Sequence, residues 1–280
     1  MKNKKIIQLR SPLRFPGSKS KVLKKLQPFL KHPHIEYREP FVGGGAIFFG
    51  KQKAKHNWLN DKDSNVANFL RVIQNNPIEL CQLIEQTIPT IDLWQKFRSE
   101  KNIEDPVELA FRFLFFNRTN YSGIYSANPI GGLKQQSQYK INCRWNSETL
   151  CNRILLCSKK LEDVRITNQN YNEVIEAPGN SVFLMIDPPY YHKGSSLYPV
   201  YMTPLEHENL ADILIRSTHS FLLTIDDCIE VRKLYSWATI IPRHWFYTVN
   251  SKKTDNIGRE LFVTNIQSEE IHNILTNFPE

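Results

Sequence analysis

The stretch Val182–Tyr190, with the sequence VFLMIDPPY, contains the strongest structural signal in the chain. Its first five residues are apolar, which predicts a short strand buried on both faces, as in a parallel sheet covered by helices. The apolar run stops at Asp187 and two prolines, and proline cannot continue a central strand. In an open α/β sheet ligands bind beyond the carboxyl ends of the strands, so Asp187 lies where a binding or catalytic residue is expected.

The same order of strand, turn and helix recurs along the chain. A helix is predicted over 19–30, and others begin near Asp63 and after Thr203, where capping residues precede apolar residues at helical spacing. This alternation is typical of a parallel sheet with helices on its faces and predicts the α/β class. Further strands that end in glycine or an acid are predicted at 35–42 before Gly43, at 57–59 before Asp61 and at 221–225 before Asp226.

The segment from about Pro77 to Lys160 departs from this order, because helical patterns flank a polar, aromatic and turn-rich stretch at 117–145. We predict that residues 64–160 form an inserted, mainly helical domain and that residues 1–63 and 161–280 form the α/β core. Helices of this segment are predicted at 78–87, 106–117 and 150–161. A C-terminal β-hairpin is predicted from strands at 238–243, 245–249 and 261–264 and a turn containing Asn256 and Gly258.

Composition limits the class of protein. The 280 residues carry a formal net charge of +8, which suits a polyanionic partner or simply a solvated basic surface. The five cysteines form no C-x-x-C pair and the histidines have no metal-ligand spacing, so the sequence predicts neither a disulfide framework nor a metal site. The apolar runs are strand-sized and no signal peptide is evident, which predicts a cytoplasmic protein without a membrane span.

Asp187-Pro188-Pro189-Tyr190 suits the methylation of an exocyclic amine. The lone pair of such a nitrogen is delocalised into the ring, and acceptors for its two hydrogens, the Asp187 carboxylate and the Pro188 carbonyl, free that lone pair for attack. The two prolines stiffen the backbone, and Tyr190 offers a face on which a base can stack. The alternative, from these four residues alone, is a rigid turn after a strand.

Two further motifs suit a nucleoside-like ligand. The segment 39–45 (EPFVGGG) lets the backbone approach a ligand closely, and Asp61 follows the next strand, where α/β sites place an acid for ribose hydroxyls. In 13–19 (LRFPGSK) the ring of Phe15 can cover an adenine or a sulfonium, and Lys19 can neutralise a carboxylate. Taken singly, these residues are equally compatible with a turn, a helix cap and a helix start.

The motifs occur in the order seen in Dam-like, alpha-group adenine-N6 DNA methyltransferases, and the chain resembles this family over roughly residues 10–265. The resemblance implies an α/β fold with a Rossmann-like, S-adenosylmethionine-dependent methyltransferase core and an inserted target-recognition domain. It also implies that a target adenine is flipped out of double-stranded DNA. The motifs that carry it are FPGSK at 15–19, EPFVGGG at 39–45, Asn60-Asp61, Asn117-Arg118-x-x-Tyr121-Ser122-Gly123 and Asp187-Pro188-Pro189-Tyr190.

The resemblance assigns further roles. It implies that 191–202 is a lid over the flipped base and that 260–265 (ELFVTN) is the closing hairpin strand. On the strand predicted at 166–171 the family usually carries an aspartate near Asn170, whose amide oxygen can also accept from an adenine amine. The implied catalytic residues are Asp187, Pro188, Pro189 and Tyr190. The implied cofactor contacts are Phe15, Lys19, Phe41, Gly43, Gly45, Asp61, Asn170 and Asp187.

Departures from the family concern the target sequence. GATC-reading members usually carry Asn-Gly where Ser122-Gly123 stands and an arginine near Ser126, and serine cannot replace arginine at a guanine, so a target other than GATC is predicted. Residues implied to contact DNA are Arg14, Asn117, Arg118, Tyr121, Ser122, Ile124 and Asn128. Candidates for phosphate contacts are Lys2, Lys4, Lys5, Arg10, Lys134, Lys140, Arg144, Lys252 and Lys253.

The predicted protein is a monomer that modifies DNA at one site, beside a separately acting restriction endonuclease. Two alternatives stay open: methylation of an amine in RNA or of a protein glutamine, and a nucleic-acid-binding module without catalysis. Asp187 and the segment 117–123 favour DNA, because enzymes of the first alternative usually carry asparagine in place of the aspartate. The retained aspartate, glycines and Asp61 favour an enzyme.

Overall fold

The computed structural model of the protein describes residues 9–15, 17–100, 102–192, 201–246, 257–267 and 271. Contacts divide these residues into two compact units. Unit 1 comprises the described residues within 1–20, 43–53 and 63–168, and unit 2 comprises those within 21–42, 54–62 and 169–280. The functional division into a core at 1–63 and 161–280 and an insertion at 64–160 stays a prediction.

The observed elements confirm the predicted α/β class. The strands are β1 (Glu36–Glu39), β2 (His56–Asn60), β3 (Arg165–Thr167), β4 (Val182–Ile186), β5 (Ser220–Asp226), β6 (Thr239–Phe246) and β7 (Ile257–Thr264). The α-helices are α1 (Leu23–Leu30), α2 (Ala46–Gly50), α3 (Ser64–Asn75), α4 (Pro77–Glu85), α5 (Ile91–Ser99), α6 (Pro106–Thr119), α7 (Ser147–Leu161), α8 (Tyr171–Glu176), α9 (Pro204–Arg216) and α10 (Ile229–Leu234). Short 3-10 turns lie at Lys19–Lys21 and Tyr121–Gly123.

Unit 2 is built on a sheet in which the strands follow the order β2-β1-β4-β5-β7-β6. β1 is parallel to β2 and to β4, and β4 is parallel to β5. β7 is antiparallel to β5 and to β6, as the predicted hairpin requires, although its turn at 247–256 lies outside the described residues. The four parallel strands end at a common edge, which we call the carboxyl edge.

The core of unit 2 fixes these strand ends. β4 is buried at all five residues, as its apolar sequence predicts. On α1, the ring of Phe29 meets Phe262 of β7 edge-on, with 5.7 Å between ring centroids. α9 begins after Thr203, whose hydroxyl accepts the Glu206 N–H at 3.2 Å, and its buried face joins the same core. Since each large apolar side chain contributes about 1.5–3 kcal/mol when buried, the sheet is a rigid base for the loops at its edge.

Predicted boundaries are wrong in the C-terminal hairpin and at the first helix. The strands predicted at 238–243 and 245–249 form the single strand β6 as far as Phe246, and Gly258 lies in β7 opposite Trp245 rather than in a turn. β6 is the last strand of the described sheet, and an edge strand tolerates charged residues such as Arg243. The helix predicted over 19–30 begins as a 3-10 turn and becomes α-helical only at Leu23.

Unit 1 is mainly helical. Helices α3, α4, α6 and α7 pack against one another, and the last three correspond to the helices predicted from the sequence. α2 and α5 were not predicted: α2 has five residues, and α5 has two buried residues, Trp94 and Phe97, among its nine. α5 begins after Thr90, whose hydroxyl accepts the Leu93 N–H at 3.1 Å. Among the described residues, no helix has the length and apolar character needed to cross a membrane.

Arg38 of β1 is a buried charge that ties helix α8 to the sheet. It is 1% exposed, and its Nε donates to Glu36 Oε1 at 2.7 Å. Its two terminal nitrogens donate to the carbonyl oxygens of Val174, Ala177 and Pro178 at 2.7–2.9 Å. Removal of the guanidinium would leave the Glu36 carboxylate and all three carbonyl oxygens without this donor.

Replacement of this guanidinium is expected to destabilise the protein strongly. Arg38→Met should lower the free energy of unfolding by about 3–5 kcal/mol, because it leaves a carboxylate and three carbonyls without their donor. Arg216→Met, at an exposed arginine of α9, should change it by less than about 0.5 kcal/mol. Urea unfolding of both variants measures the difference, and equal losses would contradict the assignment.

Gly45, the residue before α2, has a left-handed backbone with φ +68°. A Cβ atom there would lie 2.8 Å from Cε2 of Phe49, closer than such atoms approach. Gly132 has a similar φ of +71°, but a Cβ atom there would meet open space. The two glycines therefore share backbone strain and differ only in crowding.

Gly45→Ala should cost more stability than Gly132→Ala. Backbone strain costs about 1–2 kcal/mol in both variants, and crowding should add about 1–3 kcal/mol at Gly45 only. Denaturant unfolding of the two variants gives the difference directly. Losses of the same size would show that Phe49 moves away without cost.

Candidate active site

Residues predicted to be functional meet at the carboxyl edge of unit 2. β1, β2, β4 and β5 run in the same direction, so the residues that follow their last members lie at one edge. These residues are Pro40–Val42 after β1, Asp61 after β2, and Asp187 to Tyr190 after β4, while Asp226 is the last residue of β5.

Asp187 and Tyr190 are held from the neighbouring strands. The Thr224 hydroxyl of β5 donates to Asp187 Oδ1 at 2.6 Å, and the Tyr190 hydroxyl donates to Glu260 Oε1 of β7. Pro188 is buried, whereas Asp187, Pro189 and Tyr190 are partly exposed. The polar side chains of the tetrapeptide thus have fixed partners and still reach the surface of unit 2.

The chain that follows Tyr190 is anchored as well. The Tyr191 and His192 N–H groups donate to the two carboxylate oxygens of Asp226 at 2.8 and 3.4 Å. The Tyr191 ring lies 5.1 Å from the ring of His207, whose burial lowers its pKa and keeps it neutral. Residues 193–200 of the lid implied at 191–202 lie outside the described residues.

The structure brings together three side chains that the sequence did not suggest as a group: His192, Cys228 and Glu230. Ligand atoms of His192, Cys228 and Glu230 lie within 4.8 Å of one another, and His192 Nε2 is 3.3 Å from Glu230 Oε2. Cys228 and Glu230 are two residues apart, but His192 lies 36 residues before Cys228, so sequence spacing does not reveal the group. The group is a hydrogen-bonded cluster at the start of α10; the absence of a metal site stays a prediction.

A buried tyrosine and acid underlie the edge. Tyr37 is fully buried, and its hydroxyl donates to Glu39 Oε1 at 2.5 Å. Burial and the nearby carboxylates of Glu39 and Asp187 raise the pKa of Tyr37 well above its usual value. The phenol therefore stays protonated and keeps donating to Glu39, which fixes the start of the 39–45 segment.

Unit 2 brings four of the implied cofactor residues to its carboxyl edge: Phe41, Asp61, Asn170 and Asp187. The Phe41 ring stacks on Tyr171 with 5.2 Å between centroids. Asn60, next to partly exposed Asp61, donates to the carbonyl of Gln169 at 3.1 Å and accepts its N–H at 2.9 Å, which brings Asn170 to the same place.

The prediction that Asn170 lies on a strand at 166–171 is wrong. β3 ends at Thr167, and Asn170 immediately precedes helix α8. Asn170 is the N-cap residue of α8, and its backbone N–H donates to Glu173 Oε1 at 3.1 Å. The side chain is exposed.

Unit 1 holds the other implied cofactor residues. The Phe15 ring lies against the 43–45 segment: a Cβ at Gly43 would be 3.3 Å from Phe15 Cε1. Gly43 also has a left-handed backbone, with φ +48°, so two constraints require glycine there. Lys19 is 3% exposed, with Nζ 3.5 Å from the Gly17 carbonyl oxygen.

Asn117 and Arg118, both implied to contact DNA, are buried at the end of α6. Asn117 Oδ1 accepts the Arg14 N–H at 2.7 Å, and its Nδ2 donates to the carbonyls of Arg14 at 2.6 Å and Gly123 at 3.2 Å. Arg118 donates to the carbonyl of Pro12. In the described structure these side chains join the segment around Arg14 to the segment that begins at Tyr121; contact with DNA stays a prediction for both.

The segment 121–128 forms a compact loop with an exposed surface. The Tyr121 N–H donates to the Asn128 carbonyl at 3.0 Å, and both side chains are exposed. Ser122 and Ile124 are partly exposed, and Ser122 has an unusual left-handed φ of +55°. The loop is supported from below by a buried asparagine, Asn120, which donates to the carbonyls of residues 124 and 125 at 2.8–3.0 Å.

Four arginines of unit 1 form a positively charged cluster: Arg14, Arg118, Arg144 and Arg153. Burial and the charges of the other three lower the pKa of Arg118 to about 9, and burial and Arg144 lower that of Arg14. Nη1 of Arg14 and Nε of Arg118 are buried without an acceptor among the described residues. The ion pairs of the described chain include none of the four.

Sequence reasoning missed Thr224, Glu260, Asn120 and Arg153 as site residues. Thr224 stands in an apolar strand, FLLTI, and Glu260 begins the apolar run ELFV, so each places a polar group where an apolar one is expected. Asn120 lies within the conspicuous segment 117–123. Arg153 lies between the buried Leu150 and Ile154 of α7, and its charge at the margin of a buried face was the available signal.

Comparison with known proteins adds to this geometry. The type II methyltransferase M1.LlaDCHI of Lactococcus lactis subsp. cremoris is 27% identical over 203 residues, which cover 68% of each chain. The type II methyltransferase M.MjaIII of Methanocaldococcus jannaschii is 28% identical over 200 residues, covering 64% of this chain and 68% of the relative. The DNA N-6-adenine-methyltransferase of Escherichia phage P1 is 23% identical over 252 residues, covering 81% of this chain and 31% of the relative.

The family model described as D12 class N6 adenine-specific DNA methyltransferase matches residues 15–249. This range includes Phe15, the 39–45 segment, Asp61, the 117–123 segment and Asp187 to Tyr190. Because the match extends over most of its residues, the chain belongs to the family of D12 class N6 adenine-specific DNA methyltransferases.

Proposed function

We propose that the chain transfers a methyl group from S-adenosylmethionine to N6 of an adenine that is flipped out of double-stranded DNA at one short recognition sequence. Membership of the family supports the DNA substrate and the N6 position. The observation that carries the proposal is the placement of Asp187 at the carboxyl edge, with its carboxylate held by Thr224 at 2.6 Å.

Asp187 and Pro188 activate the amine in this proposal. The Asp187 carboxylate and the Pro188 carbonyl would accept the two hydrogens of the adenine amine and free its lone pair from conjugation with the ring. As N6 gained the methyl group, the carbon–sulfur bond of the donor would break to leave a neutral thioether, and the Asp187 carboxylate would take up the proton that N6 loses. Tyr190 stacks on the flipped base, which compensates for part of the lost stacking in the duplex. Pro189 keeps the backbone between these groups rigid.

The residues present fit a sulfonium-bearing nucleoside. At the carboxyl edge of unit 2, the Asp61 carboxylate suits ribose hydroxyls, the Phe41 ring on Tyr171 suits an adenine face, and the Asn170 amide suits its amine. Bound S-adenosylmethionine supplies a methyl group on positively charged sulfur, which is already activated for transfer. The further contacts that we propose, within unit 1, are Phe15, Lys19, Gly43 and Gly45.

We assign DNA recognition to the loop 121–128 and Arg14. Tyr121 and Asn128 are exposed, and Ser122 and Ile124 lie beside them, so they can meet base edges. Asn117 and Arg118 contribute to DNA binding by holding Arg14 and the start of the loop in place. Because Ser126 is exposed where GATC-reading relatives usually carry arginine, the proposed target differs from GATC.

We assign phosphate binding to the arginine cluster of unit 1. Four guanidinium groups without a carboxylate partner among the described residues repel one another, and an anion between them removes this repulsion. A DNA phosphate is an anion that matches the fork of arginine donors. Arg144 is exposed, and Arg153, which also donates to the Ser11 carbonyl at 3.3 Å, is partly exposed, so both can meet a phosphate.

The proposed biological role is modification beside a separately acting restriction endonuclease, with the enzyme as a monomer. Two of the relatives described above are type II methyltransferases, which supports the role in restriction and modification. A monomer suits an enzyme that methylates one strand in each encounter. Methylation of RNA or of a protein glutamine is the alternative that the following experiment tests.

Long-read modification sequencing tests the function. In a host without adenine methylation, the chain should place N6-methyladenine at one short motif, and Asp187→Ala should place none because the amine loses an acceptor. The purified variant should still gain thermal stability from S-adenosylmethionine, since most proposed cofactor contacts remain.

Three results would contradict the proposed function. Full methylation by Asp187→Ala would remove Asp187 from the mechanism. Unmodified adenine from a wild-type chain that binds S-adenosylmethionine would favour RNA or protein as substrate. No stabilisation by the cofactor would favour a binding module without catalysis.

Salt dependence of DNA binding tests the arginine cluster. Arg144→Gln and Arg153→Gln should each weaken binding and reduce the slope of log Kd against log salt by about 0.9, the value for one lost phosphate contact. Lys159→Gln removes the same charge from an exposed position of α7 and should leave the slope unchanged. Equal effects of all three variants would mean that only net charge matters.

A further inference from the structure

A row of polar side chains on the β5–β7 ladder forms hydrogen bonds with the segment 187–192, which follows β4 in unit 2. Thr224 pairs with Phe262 in this ladder, and Asp226 pairs with Glu260. Residues two apart on a strand, and residues directly opposite, project from the same face of a sheet, so Thr224, Asp226 and Glu260 share one face. Each of the three has a hydrogen-bond partner in the stretch 187–192.

Thr224 occupies a position that the core would otherwise give to an apolar residue. It is fully buried between Leu223 and Ile225, and a buried hydroxyl is unfavourable unless it is hydrogen-bonded. Its hydroxyl donates to Asp187 Oδ1 at 2.6 Å. Because the donor comes from the rigid sheet, it fixes the rotation of the Asp187 carboxylate and not only its position.

Glu260 is the second unexpected polar residue. Only 1% of it is exposed, and it begins the motif 260–265 that the sequence marked without a role beyond closing the sheet. Its Oε1 accepts the hydroxyl hydrogen of Tyr190. A buried carboxylate is costly to maintain, so a contact with the base-stacking tyrosine gives a reason for its presence.

We propose that Thr224 and Glu260 are positioning residues for methyl transfer. Thr224 holds the Asp187 carboxylate in the orientation that accepts from the adenine amine, and Glu260 holds the Tyr190 ring in the orientation that stacks on the flipped base. Asp226 anchors the backbone of residues 191 and 192 behind them. This inference rests on the proposed function, because it assigns the support of the same site.

The role of Thr224 is tested against Thr264, a second buried threonine of the same ladder. Thr224→Val should lower kcat roughly 10- to 100-fold, the size expected for a small misplacement of a catalytic group, with the KM for cofactor and DNA unchanged. Thr224→Ser keeps the hydroxyl and should restore most of kcat. Thr264→Val removes an equally buried hydroxyl, one that donates to the Phe221 carbonyl at the other end of the ladder, and should keep kcat.

The Glu260 arm uses a double-mutant cycle with Tyr190→Phe, which keeps the ring and removes the hydroxyl. Glu260→Ala and Tyr190→Phe should each lower kcat, and the double variant should be no slower than the slower single variant. Glu260→Gln keeps an acceptor for the tyrosine hydroxyl and should retain most of the activity. With 2-aminopurine at the target position, Glu260→Ala should change the fluorescence of the flipped base, whereas Thr224→Val should leave it unchanged.

The outcomes separate this inference from the function on which it rests. Wild-type enzyme without methylation of DNA would refute the function itself. With an active wild type, equal kcat losses in Thr224→Val and Thr264→Val would overturn the role of Thr224 in favour of general destabilisation. Additive losses in the Tyr190–Glu260 cycle, or full activity of Glu260→Ala, would overturn the role of Glu260.

Discussion

Hydrogen bonding between parallel strands is the constraint on which the site of unit 2 depends. Residue Glu36 pairs with His56 on one side and Val182 on the other, and Leu184 pairs with Phe221. Any shift of this register would move the segments after β1, β2, β4 and β5 relative to one another. The chemistry needs an acid, a rigid carbonyl and an aromatic ring together, and the ladder supplies this arrangement before any ligand binds.

The polar contacts below the edge extend the same constraint to side chains. Tyr37 holds Glu39, Asn60 holds residues 40 and 169, and Thr224 holds Asp187. Each donor or acceptor stands on a strand whose neighbours are buried, where an unpaired polar group would be costly. Folding and the preparation of the site are therefore linked, because the strands are complete only when these groups have found their partners.

The sequence predicted the residues that carry the chemistry better than the residues that hold them in place. The run VFLMI and its abrupt end at Asp187 have a period and a length that local physics can recognise, and the predicted strand agrees with β4. The resemblance implied a strand at Asn170, but the chain turns into α8 after a hydrogen bond between Gln169 and Asn60 that no local pattern contains. Thr224 and Glu260 were missed for the same reason: their partners are at least 35 residues away, in a contact that only the sheet order creates.

The loop 121–128 shows why target sequence is harder to infer than reaction type. Its support, Asn120, is fully buried, and among the described residues its side chain bonds to backbone carbonyls of the loop and to Trp94. Backbone support does not depend on which side chains the loop presents, so Tyr121, Ser126 and Asn128 are free to vary without loss of the loop's shape. The left-handed backbone at Ser122 limits that freedom at one position, since asparagine and glycine adopt it more readily than other residues. Methyl transfer requires a fixed set of groups on strand ends, whereas recognition requires only a loop of fixed shape, and the same fold therefore serves different target sequences.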